Sequence, residues 1–197
     1  MGKVKSSRSD IIRPDELKVY LAMAKRTPHH VGLMAMLYAY GKRITEVVRL
    51  KRSELQFTDK GIMTRFQILK LRPKSGVLPF KWKRLAPDHW LTPYITRYIE
   101  SRDLFYPVDQ GYLFPGRGIT GHLTRQGALW ILNRYSGDIW PHLFRHSLAV
   151  QMAEAGATLP DLVAYFDWSD DKTALHYIRS YGQAMDALAD RWAERPF

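Results

Sequence analysis

The sequence predicts a mainly α-helical fold carrying a small antiparallel β-sheet, and three observations predict it. Apolar residues recur at helical spacing from Pro14 almost to the C-terminus, in segments punctuated by Pro, Gly, Ser and Asp. Only the interval from 55 to 82 exchanges that period for β-prone runs. The chain has 197 residues, 46% hydrophobic and 13% aromatic, enough to bury a core of its own.

Residues 1–10 are polar and basic and read as a flexible lead-in able to touch phosphates. In "RPDELKVYLAMAKR" Pro14 suits a first helical position and Asp15 and Glu16 suit the positive end of the dipole. Leu17, Tyr20, Leu21 and Ala24 form one stripe. A second helix, "HVGLMAMLYAYG", is apolar most of the way round and so should be largely buried, with Gly41 ending it. A third, "ITEVVRL", leaves Lys42 and Arg43 at the junction, where a side chain can point into a cleft. "GIMTRFQIL" and "VLPFKW", split by "KLRPKSG", predict a hairpin with a basic tip. Helices are then expected at about 87–102, opened by Pro87 and Asp88, and at 122–134, 142–155, 158–166, 170–179 and 183–194. With no internal repeat and no convincing linker, residues 11–182 read as one compact domain.

Thirty Lys and Arg against 19 Asp and Glu give a net charge of +11, which favours a polyanionic partner, nucleic acid before an anionic membrane. A membrane surface would require a basic amphipathic helix with a long apolar face or a lipidation signal, and neither stands out. The absence of cysteine excludes a disulfide framework and a thiolate metal site. "MGKVKSSRSD" has no apolar run behind its charges, so a soluble, cytoplasmic protein is expected.

The densest chemistry lies in "HLFRH". His142 and Arg145 are three apart and His146 is four from His142, so the three share a face at the positive end of a helix, a good place to hold a phosphodiester. Two histidines at this spacing also match zinc ligands. That reading is weak because the glutamate of the zincin motif is absent, Arg145 sets a fixed charge beside the cation, and no third ligand announces itself. Histidines that merely cap or pack in the helix start are the plain alternative.

Downstream, "YFDW" ends an apolar helix, "SDD" opens another, and Tyr177 lies nine positions after Trp168. Here the chain resembles the tyrosine recombinase, or phage integrase, family, whose H-x-x-R-H box is followed by an L-G-H or L-G-W element and a tyrosine nine residues on. It departs from that pattern in having Asp167 where glycine is usual and Trp168 where histidine is commoner. Upstream, "YAYGKRITEVVRLKRSEL" resembles the family's first arginine box, with Gly41, Arg43, Glu46 and Leu50 in place and Glu54 near its last acidic position. "YLFPGRGITGHLTRQG" is similar to the connecting segment, so the likeness runs from about residue 12 to 180.

The resemblance implies a catalytic domain of that fold, acting on DNA through a 3′-phosphotyrosyl intermediate without metal, cofactor or small-molecule substrate. The residue types suit the chemistry. Negative charge grows on the non-bridging oxygens of an attacked phosphodiester, and the planar guanidinium forks of Arg43 and Arg145 answer it. His142 donates a hydrogen bond to those oxygens or helps move the nucleophile's proton. Trp168 offers an indole N–H and an apolar wall. Glu46 is expected to hold a basic side chain, and His146 to brace the arginines or the backbone. The family carries its general acid on a lysine of the β-hairpin, which implies Lys74, with Lys70 as the alternative. The nine-residue gap favours Tyr177 over Tyr181 as nucleophile.

Two other classes stay open: a type IB topoisomerase-like nicking and closing enzyme sharing every residue above, and a non-catalytic DNA-binding regulator on the same fold. Double-stranded DNA is the expected partner, with self-association into a dimeric or tetrameric synapse. In residues 183–197, Met185, Leu188, Ala189 and Trp192 fall on one helical face. That face is expected to pack on a neighbouring subunit, or else to fold back on its own domain.

Overall fold

The computed structural model describes residues 11–69, 78–107 and 111–181. They divide into two compact units between Arg145 and His146.

The first unit is built round one helix. Helix α1 (Pro14–Met23) packs through Leu17, Tyr20 and Leu21. In α2 (Pro28–Tyr40), every residue from Val31 to Tyr40 is buried, as an apolar surface on all sides requires. Gly32 lets α2 approach α4 (Thr92–Asp103), since a Cβ there would overlap the Tyr98 ring. Gly41 ends α2 in the left-handed conformation, φ 56°, its N–H returning to the Leu37 carbonyl. Helix α3 (Ile44–Val48) follows after Lys42 and Arg43.

A three-stranded antiparallel sheet comes next, β1 (Leu55–Thr58), β2 (Gly61–Gln67) and β3 (Phe80–Leu85), in that spatial order. The β2–β3 pair is the expected hairpin, with its return strand three residues later than the sequence pattern suggests. β1 is an addition: its pairing with β2, Leu55 opposite Thr64, is closed by a two-residue turn in "TDKG" too short to stand out as an element of its own. Leu55, Ile62, Thr64, Phe66 and Leu85 are buried along one side. The other bears Arg65, stacked 4.6 Å from the Phe80 ring centroid and 6.0 Å from that of Trp82.

Helix α4 corrects the sequence expectation, starting at Thr92 rather than 87. The Ala86 carbonyl accepts both the His89 N–H and the Thr92 hydroxyl, so Pro87 and Asp88 open a separate turn instead of the helix. Helix α5 (Arg125–Tyr135) is capped by Thr124, whose hydroxyl accepts the Gly127 N–H, and so begins three residues after the expected position. Arg52, buried, grips Asp103 through Nε and Nη2, and Arg102 reaches the same carboxylate at 2.8 Å, fastening the end of α4.

Helix α6 (Pro141–Glu154) opens at Pro141. In the second unit its later turns pack with α7 (Leu159–Phe166) and α8 (Asp171–Tyr181) round Ala149, Ala153, Leu162, Phe166 and Ala174. The expected helix 183–194 lies outside the described residues.

Candidate active site

In the first unit the site starts where α2 stops. Beyond Gly41, Lys42 is buried with Nζ 5.4 Å from the Phe66 ring centroid, so of the two junction cations it is Arg43 that keeps partial access to solvent. Arg43 is the extended residue that caps α3. Both oxygens of Glu46 serve it: Oε2 accepts the Arg43 backbone N–H at 3.0 Å and Oε1 accepts Nη1 at 3.1 Å. The Glu46 side chain is 1% exposed and that of Arg43 22%, so the carboxylate works as a fixed anchor and the guanidinium as the reaching group.

Arg145 arrives from α6. It is buried, and its Nη1 donates to the Gly41 carbonyl at 2.7 Å, across 104 residues of sequence. The glycine that ends α2 thus also orients the second arginine. His142, one turn earlier on α6, is held below the usual histidine range by burial first and then by the charges of Arg145, Arg43 and Arg125. An imidazole at the edge of three cations stays neutral at pH 7, keeping one N–H to donate and one lone pair.

The sequence reading missed Arg125, the first residue of α5. No local pattern announces it: the sequence expectation starts this helix at 122, and Arg125 becomes its first residue only because Thr124 caps it. A cleft of about 470 Å³ in the same unit has Glu46 in its wall together with Arg49, Lys51, Gln67, Phe80 and His122.

The second unit gathers the other predicted residues. Helix α7 ends at Asp167 with φ 53°, ψ 44°, the only non-glycine residue at positive φ among those described. Asp167 thus stands in the left-handed conformation that glycine adopts without strain, at the position where the resembled family usually has glycine. Beyond it the Trp168 N–H donates to the Val163 carbonyl. The Trp168 ring stacks on Phe166 at 4.9 Å on one side and on Tyr177 at 5.4 Å, with planes 4° apart, on the other. His146 presents its Nδ1 to the Tyr177 hydroxyl at 2.8 Å. Tyr181 lies one turn further along α8, its ring 6.4 Å from that of Tyr177.

Arg43, Glu46, His142 and Arg145 are thus brought together in the first unit, and His146, Trp168 and Tyr177 in the second. Lys74 and Lys70 lie outside the described residues. Among the described residues no three His, Asp or Glu side chains cluster closely enough to hold a metal ion, and no helix is long and apolar enough to cross a membrane.

The chain is similar to known proteins in sequence and in fold. The model of the phage integrase family aligns with residues 10–183. The tyrosine recombinase XerD of Rickettsia prowazekii (strain Madrid E) is 30% identical over 188 residues, covering 84% of this chain and 58% of its own. The chain spans 52–63% of the length of the first three curated relatives it matches. The crystal structure of XerA recombinase superposes with a TM-score of 0.70 at 16% identity, over 100% of this chain and 68% of that one. XerH recombinase, solved bound to its difH substrate before cleavage, gives 0.66 at 15% identity, over 98% and 56%. At these identities the two structures speak for the fold.

Proposed function

The chain belongs to the phage integrase family, and from that premise we propose that it is a tyrosine-class site-specific DNA recombinase. Tyr177 attacks the scissile phosphate of duplex DNA, leaving a 3′-phosphotyrosyl bond and a free 5′ hydroxyl, and attack by a partner strand's hydroxyl exchanges the strands. The observation that carries this reading is the crowding of Arg43 and Arg145 on His142, each arginine tied by its own anchor, Glu46 or the Gly41 carbonyl. Two fixed guanidinium groups and a neutral imidazole suit the growing charge of a pentacoordinate phosphate.

Arg43 and Arg145 clamp the non-bridging oxygens, His142 donates to them, and Trp168 shields the reacting phenol. Lys74, or Lys70, protonates the leaving 5′ oxygen. The arginines supply the charge stabilisation, so the step calls for no metal and no cofactor. A net charge of +11 and the DNA-bound state of XerH support duplex DNA as partner, with a dimer or tetramer as the working synapse and the cytoplasm as the compartment. In this reading residues 11–182 are the catalytic domain and 183–197 pack on a neighbouring copy.

The test is incubation with a nicked suicide duplex in EDTA. A covalent protein–DNA band that disappears in Tyr177→Phe is expected; adduct persisting in that variant while vanishing in Tyr181→Phe moves the nucleophile, and a requirement for a divalent cation defeats the mechanism. Adduct formation without strand exchange between two duplexes would instead identify a nicking and closing enzyme.

A further inference from the structure

A nucleophilic tyrosine must lose a proton as it attacks. A phenol with a pKa near 10 is only about 10⁻³ ionised at pH 7, so a neighbouring base has work to do. The sequence offers His142 for that task, from the first position of the H-x-x-R-H box. Within the second unit it is the other histidine of the box that meets the hydroxyl. His146 Nδ1 lies 2.8 Å from Tyr177 Oη, inside the range of about 2.6–3.2 Å in which a base can take a proton directly. The two rings are 5.4 Å apart and tilted by 48°, which brings a ring nitrogen, rather than a ring face, to the oxygen. The phenol is steadied by the parallel Trp168 ring, so the contact is made to a positioned group. From the same helix, Tyr181 approaches His146 edge-on at 6.3 Å between centroids.

Resting on the reading of Tyr177 as nucleophile, we propose that His146 is a catalytic residue, the base that accepts the Tyr177 proton at Nδ1 during cleavage. The imidazole enters neutral with its hydrogen on Nε2. As the phenolic oxygen bonds to phosphorus, its O–H bond breaks and the proton passes to Nδ1. The P–O5′ bond breaks with its electron pair on O5′, which takes a proton from the hairpin lysine. In rejoining, the 5′ hydroxyl returns its proton to that lysine as it attacks, and the His146 imidazolium returns the other to Oη as the tyrosine departs. One histidine therefore serves as base in the first half and acid in the second.

A histidine that only fixes the phenol in place would predict different kinetics. The experiment is single-turnover cleavage of the nicked suicide duplex by the full chain, wild type against His146→Gln, across pH. Glutamine can hold the hydroxyl through its amide oxygen yet cannot accept a proton. The expected result is a loss of about 10²–10⁴ in rate. A fall in the wild-type rate on acidification, as the imidazole protonates, is expected to be absent from the variant. Replacing Tyr177 by the more acidic 3-fluorotyrosine should restore much of the lost rate in His146→Gln while changing the wild type little. A His146→Gln rate within about threefold of wild type, or equal gains from fluorotyrosine in both proteins, overturns the proposal and leaves Tyr177 as nucleophile. A wild-type chain that forms no Tyr177 adduct defeats the underlying recombinase reading instead. Should the variant not fold, the ¹⁵N shift of Nδ1 in the wild-type chain decides: an unprotonated acceptor nitrogen supports the assignment, and a donor N–H overturns it.

Discussion

Substituting Glu46 by Gln isolates the anchoring of Arg43. The two carboxylate oxygens accept two donors from the same residue, its backbone N–H at 3.0 Å and its Nη1 at 3.1 Å. An amide of the same shape has one oxygen and one NH₂, so whichever way it is turned one Arg43 donor faces another donor. Exchanging a charged for a neutral hydrogen bond costs about 1–2 kcal/mol, and a buried polar group left unmatched costs about 1–3 kcal/mol more. Solvent offers little relief, because the Glu46 side chain is 1% exposed. The expected loss of stability is therefore about 2–5 kcal/mol, read from the midpoint of urea unfolding at unchanged slope. Arg43 is retained but released, so the rate of adduct formation should fall by about 10–10², less than the 10²–10³ typical of deleting a charge-stabilising donor outright. A variant with wild-type stability and a wild-type rate would refute the claim that Glu46 holds this arginine.

Arg145→Lys keeps the charge but loses the planar fork that reaches the Gly41 carbonyl; cleavage should slow by about 10²–10³ while duplex binding changes little, and near-normal cleavage would assign the residue to structure alone. Asp167→Gly relieves a side chain held at φ 53° and should raise stability by about 0.5–1 kcal/mol, whereas a loss on the same urea scale would show that the carboxylate contributes more than the strain costs. Gly32→Ala should destabilise by about 1–3 kcal/mol despite the better helix propensity of alanine, because the new methyl meets the Tyr98 ring; a gain would mean that the α2–α4 packing can open at no cost. His29, packed edge-on against Tyr98 and Phe114, is lowered to about 4 by burial and then by His30. The folded form thus binds fewer protons than the unfolded, and the contribution is complete above about pH 6.5 and lost as pH falls toward 4. It amounts to at most about 3 kcal/mol, and His29→Leu should flatten that dependence in unfolding curves measured across the window.

Where a property depends on neighbours in sequence, the sequence alone determined it. The all-round apolar surface of α2 requires burial on every side, Gly41 is a helix stop because it alone there accepts φ 56° without strain, and His142 and Arg145 share a face by their spacing. Asp88 shows the reverse: Pro and Asp make a good helix start anywhere, yet the Ala86 carbonyl draws in both the His89 N–H and the Thr92 hydroxyl and delays α4 to Thr92. The approach of Arg125 to His142 was equally hidden, since it depends on how α5 is seated rather than on any local pattern. Only the fold decided that the Gly41 carbonyl, 104 residues from Arg145, would orient that arginine, and that the Tyr177 hydroxyl, 31 residues from His146, would meet that histidine. Periodicity states which side of a helix is wet or dry; which atom waits on the dry side is set by the packing of segments far apart in the chain.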